Sequence, residues 1–243
     1  MPIPFYKVDD IKYGTDDQTF ERAVVLLRGE KVQQFKAELT GFFATVQGTQ
    51  TYQVFVDGRH YDQGSCTCYL GEREVLCKHM VAVALRAAAH GAPLTVEASA
   101  PIGPPRCSGV QRSPTQSELT QTKNDITAAL RFIKAYRGPS RHWFAYQDSL
   151  SEGCRRLSKV VSGLPVHVTT AEILVNLLLR LDKKISSAVD DSDGTVGGFI
   201  EEVVRVLQDF AKLDATCCAS FSRLRGRQTM FGWEEPLLKN LHE

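Results

Sequence analysis

The chain has 243 residues, of which 43% are hydrophobic and 23% charged, and its formal net charge is +1. These are the values of an ordinary soluble globular protein with room for one large domain or two small ones, and they give the whole chain no electrostatic attraction to nucleic acid. The longest apolar-rich run, AEILVNLLLRL, contains Asn176 and Arg180 and is far too short to span a membrane.

The N-terminus, MPIPFYKVDDIKYG, lacks the apolar h-region of a secretory signal. We therefore expect a cytoplasmic protein with no membrane partner, in which cysteines are thiols or metal ligands rather than disulfides. The charges divide unevenly along the chain. Residues 1–105 carry 10 basic and 12 acidic side chains, a net charge of −2, whereas residues 106–243 carry 19 and 16, a net charge of +3.

The first half mixes helix and strand signals. In TDDQTFERAVVLLRGE, Thr15 is a candidate N-cap, the apolar residues recur with a helical period, and Gly29 is a candidate end of the helix. The run FKAELTGFFATVQGTQTYQVFVDG alternates apolar and polar residues between glycines, which predicts two or three antiparallel strands. The later segment MVAVALRAAAH is rich in Ala and Val and predicts a short buried helix.

Between the strands and that helix lies CTCYLGEREVLCKH, with the spacing Cys66-x-Cys68, eight residues, then Cys77-x-His79. Two short ligand pairs joined by a loop suit a tetrahedral zinc ion, for which three Cys and one His are a common closed set. A redox pair is the alternative, but it needs no second Cys and His at matching spacing. His60 and His90 flank the cluster and are the alternatives to His79.

This pattern, with the preceding helix and strands and the following HMVAVAL helix, resembles the SWIM zinc finger over about residues 15–90. The resemblance implies that Cys66, Cys68, Cys77 and His79 bind one structural Zn²⁺. SWIM modules occur with helicase-like ATPases, transposases, ubiquitin-ligase components and recombination adaptors, so it implies interaction with protein or nucleic acid rather than one chemistry. The chain has no phosphate-binding loop of its own.

Composition changes after the finger. Residues 95–117 lie in a stretch rich in Pro, Gly and Ser that predicts a linker, which separates a zinc-finger module (1–94) from a helical bundle domain (118–243). Four amphipathic patterns follow it, with Ser140 and Thr169 or Thr170 as candidate helix caps. The fold class predicted is therefore an α+β zinc-binding module followed by an all-α domain. The helical half also resembles the helical tails of stand-alone bacterial SWIM proteins.

One segment of the second half, RGPSRHWF, combines basic and aromatic side chains at a predicted helix start. Arg137, Arg141, His142 and Trp143 are candidate contacts for a phosphate or for a partner's acidic segment. In the alternative, Ser140 caps the helix and Trp143 packs in the core. Another basic run, SRLRGRQ, reads as a solvated loop, and the acidic VDDSDGTVGGFI fits a helix–helix turn better than a calcium loop.

The sequence thus favours a non-enzymatic, zinc-stabilised adaptor that binds a protein, with an ATPase among the candidate partners. DNA binding through the zinc module and the basic loops is the alternative. An enzyme with a site between the two halves is a third hypothesis, although no catalytic motif indicates one. The acidic balance of residues 1–105 tilts the choice toward the adaptor.

Overall fold

The computed structural model describes residues 3–136 and 143–239, apart from the side chains of Glu97 and residues 143–145. The chain divides into two compact units, Met1–Pro101 and Ile102–Glu243. In the described ranges no helix has both the length and the apolar character needed to cross a bilayer.

The first unit opens with two helices, α1 (Val8–Gly14) and α2 (Asp17–Arg28). The predicted N-cap, Thr15, is wrong: the carboxylate of Asp16 caps α2 by accepting a hydrogen bond from the Thr19 N–H at 2.9 Å. Thr15 instead ends α1, where its N–H donates to the carbonyl of Ile11. Helix α1 was not predicted, because seven residues are too few to show a helical period.

A four-stranded antiparallel meander follows, with the strands in chain order: β1 (Val32–Ala37), β2 (Gly41–Gln47), β3 (Thr51–Asp57) and β4 (Gly64–Cys66). The inner face of the sheet carries the alternating apolar residues predicted to form the strands. On β2 and β3 these are Phe42, Ala44, Val46, Tyr52, Val54 and Val56, all buried. The register pairs Cys66 with Val54, so the first cysteine lies on the inner face of the sheet.

The helix α3 (Lys78–Ala88) begins directly after the second ligand pair and packs against α2 and the strands. Residues Met80–Leu85 are each no more than 3% exposed, so this helix is buried around its whole circumference. The order of helix, short antiparallel sheet, ligand pairs and buried helix is the predicted one. The short helix α4 (Val96–Ser99) ends the unit and is held by a hydrogen bond from Arg28 to Ser99.

The second unit is mostly helical in its described part, which confirms the predicted fold class. Its α-helices are α5 (Gln116–Ala129), α6 (Trp143–Ser162), α7 (Val168–Ser187), α8 (Thr195–Leu213) and α9 (Glu235–Lys239), with a 3-10 run at Ala215–Leu224. The apolar faces of α6, α7 and α8 meet in one core that includes the fully buried Leu157, Leu174 and Phe210.

Two loops show how the helices of this unit begin. The imidazole of His167 caps α7 by accepting from the Thr169 N–H at 3.2 Å, so the predicted cap at Thr169 or Thr170 is wrong; the Thr170 hydroxyl donates instead to the carbonyl of Pro165. Before α8, the carboxylate of Asp191 accepts from the N–H groups of Val196 and Gly197. The predicted cap at Ser140 lies outside the described residues.

The segment predicted as a linker contains the division after Pro101, and its later residues contact the second unit. The Ser108 hydroxyl donates to the carbonyl of Leu164 at 2.6 Å, and the Val166 N–H donates to the carbonyl of Val110 at 2.8 Å. The Gln111 amide reaches the carbonyl of Leu213 at 2.8 Å. These hydrogen bonds therefore hold residues 108–111 against the helical unit.

Candidate metal centre

The structure brings the four predicted ligands together. Cys66 ends β4, Cys68 follows in the turn after it, Cys77 is the N-cap of α3 and His79 lies in the first turn of that helix. Their ligand atoms all lie within 4.8 Å of one another, and all four residues are buried. A strand end and a helix start thus face each other across the loop 69–76, which is the arrangement that two short ligand pairs require.

The distances fit a tetrahedral zinc ion. The Nδ1 atom of His79 lies 3.7 Å from the Sγ of Cys66 and 3.9 Å from the Sγ of Cys77. With Zn–S of about 2.3 Å and Zn–N of about 2.0 Å, the sulfur–nitrogen edge of a tetrahedron is about 3.5 Å. Nδ1 is therefore the nitrogen turned toward the metal position. Four protein ligands leave no place for a reactive water, so zinc held here is structural.

The pKa values of the clustered thiols also indicate that a cation is needed to keep all of them ionised. The hydrogen bond from Cys66, and then the contact with His79, lower the pKa of the Cys77 thiol to about 4, although burial opposes the shift. The same hydrogen bond and burial raise the pKa of Cys66 far above its usual value. Without a cation, ionisation of the Cys77 thiol thus opposes ionisation of the Cys66 thiol. Three buried thiolates become compatible only around a positive ion, which zinc supplies.

The orientation of His79 is set by stacking. Its ring lies against Tyr52 of β3, with ring centroids 4.4 Å apart and an interplanar angle of 29°. The Tyr52 hydroxyl is in turn bonded to Thr49 at 2.7 Å. Nε2 of His79 is buried and has no hydrogen-bond partner among the described residues, so the Tyr52 ring takes the place of the polar partner that usually fixes a metal-binding histidine.

Removing the Tyr52 ring is expected to loosen the metal site. Tyr52→Ala should weaken zinc binding by about 10–100-fold, the usual cost of losing a group that orients a ligand. Tyr52→Phe keeps the stacked ring and loses only the Thr49 bond, so its affinity should stay within about threefold of the wild type. Competition with a chromophoric chelator measures both. Equal affinities for the two variants would contradict a role of the ring in holding His79.

The approach of Gly71 to the first ligand pair is a feature that sequence analysis missed. The Gly71 N–H donates to the Sγ of Cys68 at 3.4 Å. A Cβ on Gly71 would lie 2.2 Å from the carbonyl oxygen of Cys66, so only glycine fits here. The signal in the sequence is one glycine three residues after Cys68, which becomes informative only once the turn is known.

The remaining candidates are not part of this cluster. His60 and His90 are both exposed, and the metal cluster contains neither of them. Arg137, Arg141 and His142 lie outside the described residues. Trp143 opens α6, but its side chain also lies outside the description.

The loop between the ligand pairs exposes apolar side chains, namely Tyr69, Leu70 and Val75. The guanidinium of Arg73 lies over the Tyr69 ring at 3.9 Å, and Glu74 adopts a left-handed conformation. The loop is short and tethered at both ends by the ligands, so zinc binding also fixes its shape.

Comparison with known proteins agrees with this geometry. The SWIM zinc finger family matches residues 52–88, which extend from Tyr52 to the end of α3 and include all four ligands. No curated protein and no solved structure matches the chain significantly. The motif, the strands that lead into it and the four clustered side chains point to one conclusion: residues 52–88 of this chain are a SWIM zinc finger that binds a structural zinc ion.

Proposed function

We propose that the chain is a non-enzymatic adaptor, stabilised by zinc, that binds a protein partner through its first unit. The observation that carries the proposal is an exposed apolar patch, here called the hairpin patch, formed by Ile3, Phe5 and Leu39. Their exposed fractions are 72%, 80% and 102%. They line a cavity of about 380 Å³ at the end of the sheet. Contiguous exposed apolar surface of this kind is typical of protein-binding sites.

The hairpin patch is held in place by the backbone. The Phe5 N–H donates to the carbonyl of Gly58, and the Gly58 N–H donates to the carbonyl of Thr40, both at 2.9 Å. The guanidinium of Arg59 lies 5.7 Å from the centre of the Phe5 ring. Leu39 lies at the tip of the turn between β1 and β2, a position where polar residues are usual. A preorganised surface loses little conformational entropy on binding, which favours its use as a docking site.

The charges around the hairpin patch favour a protein over nucleic acid. Glu38, Asp57 and Arg59 line the cavity, so its rim has no excess of cations. Nucleic acid binding depends on neutralising phosphates with Lys and Arg, and residues 1–105 carry a net charge of −2. An apolar, mixed-charge surface suits an apolar segment of a protein. The resemblance to modules that accompany ATPases makes an ATPase the first partner to test.

Leu39 is expected to be an anchor of the interface. Leu39→Ser should reduce recovery of the partner about tenfold or more, since the loss of an anchoring side chain costs at least about 1.4 kcal/mol. Val25→Ser is the matched control, because Val25 is 68% exposed on α2 and does not line the cavity. Affinity purification from the native host, with and without nuclease, measures recovery. A photo-crosslinking residue at position 39 then identifies the protein.

Two outcomes would contradict the proposal that the chain is an adaptor. If nuclease treatment removes the co-purified proteins, or if the Leu39 and Val25 variants recover them equally, the hairpin patch does not bind a protein. Zinc content and thermal unfolding are measured on both variants, so that a folding defect is separated from a binding defect.

Nucleic acid binding is the second candidate, because the outer face of the sheet carries an aromatic pair. Phe43 and Phe55 lie side by side with ring centroids 4.6 Å apart, and the register places Lys36 opposite Phe43. Bases of a single strand stack on such rings. Fluorescence anisotropy with a labelled oligonucleotide at two salt concentrations tests this. Affinity that falls steeply with salt favours nucleic acid, and no binding near physiological salt favours the adaptor.

A further inference from the structure

The second unit has an apolar groove between α8 and the turn that follows the 3-10 run. Its floor is the side of α8 that carries Gly197, Ile200 and Val204, and its other wall is the turn Met230–Gly232 with Trp233. The cavity measures about 320 Å³. Glu201 and Arg205 form the rim on the solvent side of α8. We call this surface the α8 groove.

The turn that walls the groove is held rigidly, and it directs an aromatic ring into solvent. The carboxylate of Asp182 accepts hydrogen bonds from the Met230 N–H at 2.7 Å and from the Trp233 indole N–H at 3.0 Å. Between them, Phe231 adopts a left-handed conformation with φ of 65° and leaves its side chain 79% exposed. A left-handed conformation is unusual for a bulky residue such as Phe. The ring lies at the edge of the groove and is largely exposed, so it does not fill the groove.

The exposed stripe of α8 is charged in an ordered way. Along one side of the helix lie Gly198, Glu201, Arg205 and Lys212, spaced so that they face the same direction. Glu201 and Arg205 also pair within the helix at 3.5 Å, but both side chains are about two-thirds exposed and this pair is weak. Asp193 precedes the start of the helix, and Lys212 lies near its end, where it pairs with Asp209 at 2.8 Å in another exposed and therefore weak contact. Such a helix is complementary to a second copy that runs antiparallel to it.

We propose that the α8 groove is the interface of a homodimer, in which the α8 helices of two copies pack antiparallel around a two-fold axis. The axis passes between positions 201 and 205, so each Glu201 faces Arg205 of the other copy. The same alignment places the acidic start of one helix beside Lys212 of the other. A projecting ring next to an unfilled groove is self-complementary under two-fold symmetry, because each Phe231 enters the partner copy's groove. This inference does not rest on the adaptor function.

Charge reversal tests the proposal on the full zinc-loaded chain. Sedimentation velocity over a dilution series should give a species of twice the 27.0 kDa chain mass. Glu201→Arg and Arg205→Glu, made separately, should each weaken the dimer about tenfold or more, because like charges then face each other across the axis. The double reversal restores opposite charges on both sides, and its dissociation constant should return to within about threefold of the wild type.

Phe231→Ser gives a second, independent readout. Since the ring is largely exposed in the single chain, this variant should lower the dimer's affinity without lowering the thermal stability of the monomer. A monomer at the highest soluble concentration overturns the proposal, and so does a dimer that none of these variants weakens. A double reversal that is no better than the single ones overturns the antiparallel pairing. A growing series of larger species would instead indicate an open contact and would also overturn it.

Discussion

Replacing Cys77 by alanine is expected to abolish zinc binding and to unfold the first unit around residues 60–80. Structural zinc contributes roughly 10–16 kcal/mol of apparent binding free energy in zinc-finger peptides, about as much as the total stability of a domain. Here the metal joins the end of β4 to the start of α3, so its loss separates the sheet from its main buried helix. Elemental mass spectrometry should find clearly less than one zinc per chain, and hydrogen exchange should accelerate across residues 60–80.

Cys154→Ala is the matched control for that result. Cys154 is also buried, but it lies on α6 in the second unit and outside the metal cluster. This variant should keep one zinc per chain and normal exchange in residues 60–80, and a strong chelator should reproduce the Cys77 phenotype in the wild type. Full retention of zinc by a chain with both Cys66→Ala and Cys77→Ala would refute the assignment of the ligands.

Gly71→Ala is expected to damage the same site without removing a ligand. The added Cβ would lie 2.2 Å from the Cys66 carbonyl oxygen and 2.5 Å from the Cys66 Cβ, so the backbone has to move. That movement pulls the Gly71 N–H away from the Cys68 thiolate. We expect a loss of stability of about 1–3 kcal/mol, as for other overpacked sites, and zinc affinity lowered about 10–100-fold. Chemical denaturation and chelator competition measure the two effects.

Gly103→Ala is the control for the glycine substitution, because nothing lies within 4 Å of the Cβ position there. It should change stability by no more than about 0.5 kcal/mol, the usual range for a surface substitution. If Gly71→Ala binds zinc as tightly as Gly103→Ala, the close approach to Cys66 has no role in the metal site.

The metal ligands could be predicted from the sequence because all four lie within fourteen residues. Their identity and spacing are enough to indicate a tetrahedral zinc site, and little has to be known about distant elements. The strands were predictable for a similar reason, since alternation along β2 and β3 is a local pattern. The caps were harder. Asp16 directly follows Thr15, and His167 lies two residues before Thr169, so each helix has more than one candidate cap and the choice depends on where the preceding segment ends.

The groups that support the ligands depend on tertiary structure. Tyr52 is separated from His79 by 27 positions, and only the position of α3 against β3 makes the two rings stack. The exposure of Leu39 is also invisible in the sequence, because a leucine in a β-rich segment normally predicts a core position. The 3-10 run Ala215–Leu224 has neither the length nor the period that identifies a helix before the structure is known.

Because α3 is buried on all sides, the zinc ion also helps to orient this helix. An amphipathic helix is oriented by its apolar stripe, but residues Met80–Leu85 are apolar and buried around the full turn. Burial alone therefore constrains the rotation of this segment less than it would for a helix with one apolar stripe. Cys77 and His79 add a directional constraint, since coordination fixes both the starting point and the rotation of the helix. Near the other end, the Arg86 guanidinium donates to the carbonyl of Val32 at 2.8 Å, so polar contacts hold α3 at both ends.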